Sequence, residues 1–278
     1  MDIGTIQVMK VIEVEPSHYL LEKGIIKSPL PKSEATRSLQ VGELIEVFIL
    51  KHYVTMHLPD FQVGEYEWVT VKKAETDKVL VDIGTTELIE ISSRDLPAFR
   101  TVWPQEGDRL YVVLKQKRTG TLFAVPAKER EFAHLIEDGS HLELNDRISG
   151  HVIRTAREGT VMLSEEGNRG FIHHTERGEE PRLGEKIKGR IIEVKEDGTL
   201  NVSLKPMRHE RLETDAETIL HYIKTHDGVI PFSDNSSPEE IRATFKMSKG
   251  AFKRALGRLM RQQKIEQRDG KTFLIKNE

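Results

Sequence analysis

Three stretches decide how this chain folds: Val41-Gly42-Glu43-Leu44-Ile45-Glu46-Val47, Glu106-Gly107-Asp108-Arg109-Leu110-Tyr111-Val112 and Leu183-Gly184-Glu185-Lys186-Ile187-Lys188-Gly189. Each sets a glycine before an acidic residue and then runs into a strand-like segment. Each is followed by a second alternating run that ends at a proline: Met56-His57-Leu58-Pro59, Phe123-Ala124-Val125-Pro126 and Val202-Ser203-Leu204-Lys205-Pro206. The Gly-acidic pairs lie 65 and 77 residues apart. That is the period of a small domain, too long for a solenoid repeat.

Working outward, each unit opens with residues on one strand parity: Ile6, Val8, Ile12 and Val14, then Val79, Val81 and Ile83, then Val161 and Leu163. Period-two alternation broken by turns such as Thr119-Gly120 and Asp197-Gly198 marks half-buried antiparallel strands. Several short strands in 65–75 residues predict a small barrel of the OB type. In the third unit, Gly150-His151-Val152, Gly159-Thr160-Val161-Met162-Leu163, Gly170-Phe171-Ile172-His173 and Thr199-Leu200-Asn201-Val202-Ser203-Leu204-Lys205 resemble the S1 RNA-binding domain. The second unit echoes that plan, and the first, the most degenerate, is S1-like through the repeat. The third unit departs from the S1 pattern at Thr160, where an aromatic is usual, and at Asn201, where a basic residue is common. His173 matches the RNA-facing histidine that the resemblance implies, and Phe171 reads either as a stacking residue or as core.

From Thr214 the period changes. Ala216, Ile219, Leu220 and Ile223 fall at i, i+3, i+4 and i+7, the pattern of an amphipathic helix. Val229–Phe232 reads as a strand, and Ser237-Pro238-Glu239-Glu240 as an N-cap, a first-turn proline and a capping box. Ser248 caps a further helix whose buried stripe is Phe252, Ala255, Leu256, Leu259 and Met260, with Lys249, Lys253, Arg254, Arg258 and Arg261 opposite. Lys264–Arg268, Asp269-Gly270 and Lys271–Ile275 read as a hairpin. Helix, strand, helix, helix and hairpin is the order of a winged helix, with the third helix for recognition and the hairpin as wing.

The predicted fold is therefore mainly β: three consecutive S1/OB-type five-stranded barrels (residues 1–62, 63–141 and 142–212) followed by an α/β winged helix (213–278). Charge follows this division. The whole chain carries −3, but residues 1–141 carry −5, 142–206 carry −1 and 207–278 carry +3. Residues 242–276 hold 11 lysines and arginines against only Glu266 and Asp269. A polyanion is drawn to such a segment, because neutralised phosphates release counterions.

Three S1-like units and a winged helix resemble the conserved virulence factor B family of Gram-positive bacteria, most specifically at residues 103–111 and 247–257. The resemblance implies an RNA-binding regulator of gene expression, virulence genes included. The candidate RNA contacts are Phe171, His173, Arg154, Arg190 and Lys195 in the third unit. In the fourth they are Lys249, Lys253, Arg254, Arg258, Arg261, Arg268 and Lys271. Single-stranded RNA is expected to cross the third barrel and the basic winged-helix face. Duplex DNA read by the winged helix, and a protein partner bound through residues 1–141, are the competing expectations.

No catalytic role, cofactor or metal is expected. His173 and His174 are adjacent on a strand and so are expected to point to opposite faces, which keeps both from one metal. His221 and His226 miss the i, i+4 spacing of a zinc pair, and no phosphate-cradling or nucleophile-elbow motif is present. Trp103-Pro104 reads either as a base-stacking pair or, the favoured reading, as a seal of the second barrel's inter-strand loop. The absence of cysteine suits a reducing compartment. With no signal-peptide pattern after Met1 and no apolar run near 18 residues, a cytoplasmic protein with no membrane contact is expected.

Overall fold

The structure, a computed structural model, describes residues 2–206 and 208–275, and over 208–214 the backbone alone. It divides after Leu204 into two compact units. The helix at Arg208–Thr225 belongs to the second, which therefore takes in residues before 213.

The first unit holds three five-stranded sheets. Barrel 1 comprises β1 (Ile6–Val14), β2 (His18–Lys23), β3 (Ile26–Pro31), β4 (Leu44–Ile49) and β5 (Val54–Thr55). Barrel 2 comprises β6 (Tyr66–Ala74), β7 (Lys78–Asp82), β8 (Ile89–Ser92), β9 (Arg109–Gln116) and β10 (Leu122–Pro126). Barrel 3 comprises β11 (Arg147–Thr155), β12 (Gly159–Ser164), β13 (Arg169–His173), β14 (Lys186–Val194) and β15 (Leu200–Ser203). All three share one strand order, in which the third, second, first, fourth and fifth strands are neighbours. Only barrel 3 is closed by hydrogen bonds, through the parallel pairing of Gly170 with Leu200 and Phe171 with Asn201. Barrels 1 and 2 are barrel-like sheets.

The Gly-acidic repeat has a physical cause. Gly42, Gly107 and Gly184 all take positive φ, which side chains disfavour. Their N–H groups donate to the carbonyls of Val11, Val71 and Val152, at 2.8, 2.9 and 2.8 Å. The next residue's carboxylate accepts the N–H three positions back: Glu43 from Gln40 (2.7 Å), Asp108 from Gln105 (2.8 Å) and Glu185 from Arg182 (2.8 Å). Each turn thus clasps the first strand where that strand bulges, at Val11/Glu13, Val71/Lys73 and Val152/Arg154.

Strand parity needs one correction. Val79 and Val81 point into barrel 2 as alternation suggests. In β1 the buried residues are Met9 and Val11, whereas Val8 and Val14 are 49% and 45% exposed. In β12 it is Met162 that enters the barrel core, while Val161 and Leu163 are buried on the outside. Alternation marks a strand; which face it buries depends on what else packs there.

Barrels 2 and 3 meet along an aromatic seam. Tyr66, Trp68 and Tyr111 on the outer face of barrel 2, with Phe132 from a 3-10 helix at Glu129–Leu135, pack against Ile153, Val161, Leu163 and Phe171 of barrel 3. Arg182 grips Asp108 with two hydrogen bonds (3.0 and 3.1 Å), Arg109 donates its backbone N–H to Gly184, and Leu183 donates to Val102. Trp103 is in barrel 2's core, its indole N–H bonded to Pro97.

The second unit contains α1 (Arg208–Thr225), β16 (Val229–Ile230), α2 (Pro238–Phe245), α3 (Lys249–Arg261), β17 (Ile265–Arg268) and β18 (Lys271–Leu274). Ser237 and Glu240 form the capping box, and Ser248 caps α3 through the N–H of Ala251. Each such cap contributes about 1 kcal/mol. The three-stranded order β16-β18-β17 completes the winged helix. Its core joins Ile219, Ile223, Ile241, Phe252, Leu256 and Leu259. Met260, expected in the buried stripe, is 39% exposed. Asp269 and Gly270 both take positive φ, the two-residue turn that matches strand twist.

Candidate nucleic-acid interface

In the winged helix, α3 is amphipathic by charge as well as by hydropathy. Ala251, Phe252, Ala255, Leu256 and Leu259 are buried, and Lys253, Arg254 and Arg261 are exposed opposite them. Lys253 Nζ lies 3.9 Å from Asp234, a loose surface pair worth little. Lys249 donates to the Asn235 carbonyl at 3.5 Å, and Arg261 Nε to the Gly257 carbonyl at 3.3 Å. Arg254 has no ion pair among the described residues. Arg258 is half-buried and lines a cleft with Ala216, Glu217 and Leu220 of α1, at the edge of this face. In the wing, Arg268 lies over the Phe273 ring at 4.7 Å and 3.6 Å from Glu266, while Lys271 is exposed across from it. No acidic residue occupies the first turn of α3, so the positive end of the helix dipole adds to these cations.

The outer face of barrel 3 is built differently. Arg154 Nη1 meets Glu129 Oε2 at 3.1 Å, and Arg169 meets the other oxygen through Nη2 (2.5 Å) and Nε (3.0 Å). One carboxylate thus serves two arginines. Arg190 donates from Nη1 to Asn145 at 2.8 Å, and its Nε is buried with no hydrogen-bond partner among the described residues. Lys195 is at the β14–β15 hairpin, where its backbone pairs with Thr199. Phe171 lies over Gly159, where a Cβ would stand 2.6 Å from its ring, and its other contacts belong to the aromatic seam. It is half-buried, so part of its ring packs and part stays accessible.

His173 is exposed, edge-on to Phe171 at 6.4 Å. Its Nδ1 is 2.8 Å from the Thr175 hydroxyl and accepts the Thr175 N–H at 3.3 Å. The expectation that His173 and His174 point apart is corrected. β13 ends at His173, a 3-10 turn starts at His174, and the two rings lie 4.2 Å apart. Among the described residues no cluster of three or more His, Asp or Glu is arranged to hold a metal. No described helix is long and apolar enough to cross a membrane.

Sequence reasoning missed Trp68, Arg109, His151, Glu129 and Arg169. The available signal was Tyr66 and Trp68 on the strand parity opposite the core residues Val69 and Val71. Two large aromatics on an outward parity point to something packed outside the barrel.

Three OB-type barrels and a winged helix bearing an open cationic helix face make this a multidomain protein of the nucleic-acid-binding class. Residues 217–274 match the CvfB-like winged helix domain, and residues 132–206 the second domain of the virulence regulatory factor CvfB. Residues 66–125 match the CvfB first S1-like domain, and residues 3–53 the S1 domain. Conserved virulence factor B of Staphylococcus saprophyticus is 37% identical over 98% of this chain and 94% of its own length. Protein YitL of Bacillus subtilis is 41% identical over 92% of this chain and 88% of its own. A solved multidomain protein with nucleic acid binding domains from Streptococcus pneumoniae TIGR4 is 33% identical, with a TM-score of 0.66 over 98% of both chains. The chain belongs to the conserved virulence factor B family.

Proposed function

We propose that this protein is an RNA-binding post-transcriptional regulator, acting on virulence genes among others by binding rather than by catalysis. It holds single-stranded RNA through the winged helix, with barrel 3 contributing contacts at His173 and the open edge of Phe171. The observation that carries this reading is the open face of α3 and the wing. There Lys249, Lys253, Arg254, Arg261 and Lys271 present cations with at most one loose carboxylate neighbour among the described residues. Phosphate contacts supply affinity, and a stacked base adds about 1–3 kcal/mol. The S1-like units favour an unpaired strand, whose bases are free to meet aromatic side chains. The cytoplasm is where such a strand is met.

The second reading is a transcription factor that places α3 in the major groove of duplex DNA, with the barrels, acidic over residues 1–141, serving as protein-binding modules. It is favoured by the pairing of Arg154 and Arg169 with Glu129, which engages two of barrel 3's arginines within the molecule. Competition of single-stranded RNA and duplex DNA for one labelled RNA probe, across a salt titration, separates the two. RNA is expected to compete better at every salt concentration. A duplex preference reverses the order, and binding insensitive to salt removes both.

A further inference from the structure

The seam between barrels 2 and 3 contains a cleft that the winged-helix reading does not use. Trp68, Arg109, Leu135, His151, Leu163 and Glu165 line it, and its volume is about 480 Å3. That lies within the roughly 300–1,000 Å3 of small-molecule sites. Both barrels build it: Trp68 and Arg109 stand on β6 and β9, His151 and Leu163 on β11 and β12. The Asp108–Arg182 grip and the Arg109–Gly184 backbone bond hold its two walls together.

Three of its groups keep hydrogen-bonding capacity in reserve. His151 Nδ1 is 3.1 Å from the Gly184 carbonyl oxygen. A carbonyl only accepts, so the neutral ring carries its proton on Nδ1 and leaves Nε2 as an acceptor. Burial holds His151 below the usual histidine range and keeps it neutral near pH 7; Arg109 and Lys186 push the same way, against Glu165 and the Gly184 bond. The Trp68 indole N–H meets no acceptor among the described residues and is not a buried orphan, so it opens to solvent. Arg109 lies over the face of the Trp68 ring, 5.8 Å from its centroid, and pairs with no carboxylate among the described residues. Glu165, by contrast, is held by Lys186, and Ser164 is bonded to Asn168.

We propose that this cleft is a nucleotide site: one unpaired nucleobase lies against Trp68 and Leu163, with its phosphate at Arg109. The chemistry matches group by group. A base offers a flat apolar face, a donor and an acceptor on one edge, and an attached anion. The cleft offers an aromatic ring with an aliphatic wall, an acceptor at His151 Nε2, a donor at Trp68 Nε1 and a guanidinium with no carboxylate partner among the described residues. A paired base in a duplex has its edge occupied and its faces stacked, and does not enter. The base comes either from an RNA strand, in which case the site rests on the function proposed above, or from a free nucleotide, in which case it does not.

The test uses the full-length chain and its intrinsic tryptophan fluorescence, titrated in one arm with a short single-stranded RNA and in the other with mononucleotides. RNA is expected to quench Trp68, and Trp68→Leu to abolish that signal. Trp68→Leu and Arg109→Met should each weaken RNA binding about tenfold at fixed salt, as the loss of one stacked base or one phosphate contact implies. Arg109 is exposed, so the second variant reports even if the first disturbs the seam. An RNA of equal length with abasic positions should bind the wild-type chain as weakly as intact RNA binds the variants. If both variants bind like the wild type while Lys253→Glu loses affinity, the cleft is overturned and RNA binding stands. If RNA does not bind but mononucleotides quench Trp68, the site stands with a free nucleotide as its ligand and the RNA reading falls. If neither ligand quenches, the site is overturned.

Discussion

Barrel 3 and the winged helix both carry clusters of basic residues, yet they expose charge to different degrees. In barrel 3, Arg154 and Arg169 converge on Glu129, and Arg182 is taken by Asp108. In α3, Arg254 stands clear and Lys253 has only a loose neighbour at 3.9 Å. A count of lysines and arginines treats the two alike. Affinity for a polyanion follows the cations that remain unneutralised, and those cluster on the winged helix. Arg154, Arg169 and Arg182 of barrel 3 hold the molecule's own parts together.

That contrast can be broken most directly on the winged helix. The double variant Lys253→Glu/Arg254→Glu is expected to lower RNA affinity by at least about tenfold and to flatten the slope of log K against log salt by about 0.7 per lost phosphate contact. Adding Arg258→Glu should change binding less than the first two substitutions and lower stability, because Arg258 is half-buried in a cleft with Glu217 of α1. Filter binding across salt, with thermal melts alongside, checks both halves. Equal binding losses from Arg258 and Arg254 would erase the distinction drawn here.

The seam provides the next largest effect. Asp108→Asn leaves the Arg182 guanidinium without its bidentate partner. For a pair that is only partly buried, this should cost about 2 kcal/mol in urea unfolding. Glu43→Gln at the equivalent turn of barrel 1 frees only an exposed Arg37 and should cost less. A cost at Glu43 equal to that at Asp108 would mean that the turn, and not the seam, is being measured.

A smaller effect sharpens the comparison from the barrel side. Glu129→Gln releases Arg154 and Arg169, so RNA binding should strengthen a few-fold, with the salt slope steeper by about 0.7 for each freed cation that meets a phosphate. Unchanged binding would show that the barrel face is closed to phosphate for reasons other than charge.

The smallest effect is titration of His151. Its folded value is depressed, chiefly by burial, with Arg109 and Lys186 facing it against Glu165. The unfolded chain therefore binds more protons as pH falls below about 6.5, and stability declines through that window until the folded value is passed. Melts of the wild type and His151→Gln between pH 7.5 and 5.5 should differ in slope, with the wild type falling faster. Parallel slopes would assign the decline to other groups.

The order of domains, the winged-helix caps and the hairpin turn were legible because each rests on local chemistry: a glycine before an acid, a serine three residues before a glutamate, an Asp-Gly pair. The burial of Val161 and Leu163 was not, because alternation cannot distinguish the inside of a barrel from an outside face covered by a neighbour. Nor was Arg154's partner legible, since Glu129 comes from a short helix 25 residues earlier that no periodicity announces. Phe171 left two readings open for the same reason. Its surroundings are set by barrel 2 as well as by its own strand.

Gly184 has a consequence that its counterparts lack. A Cβ added at Gly42 or Gly107 would meet only open space, but at Gly184 it would stand 2.7 Å from the Arg109 carbonyl oxygen. The first two positions are held to glycine by their backbone angle alone. At the third, a single methyl group would act as a wedge and reset the angle at which two whole domains are mounted.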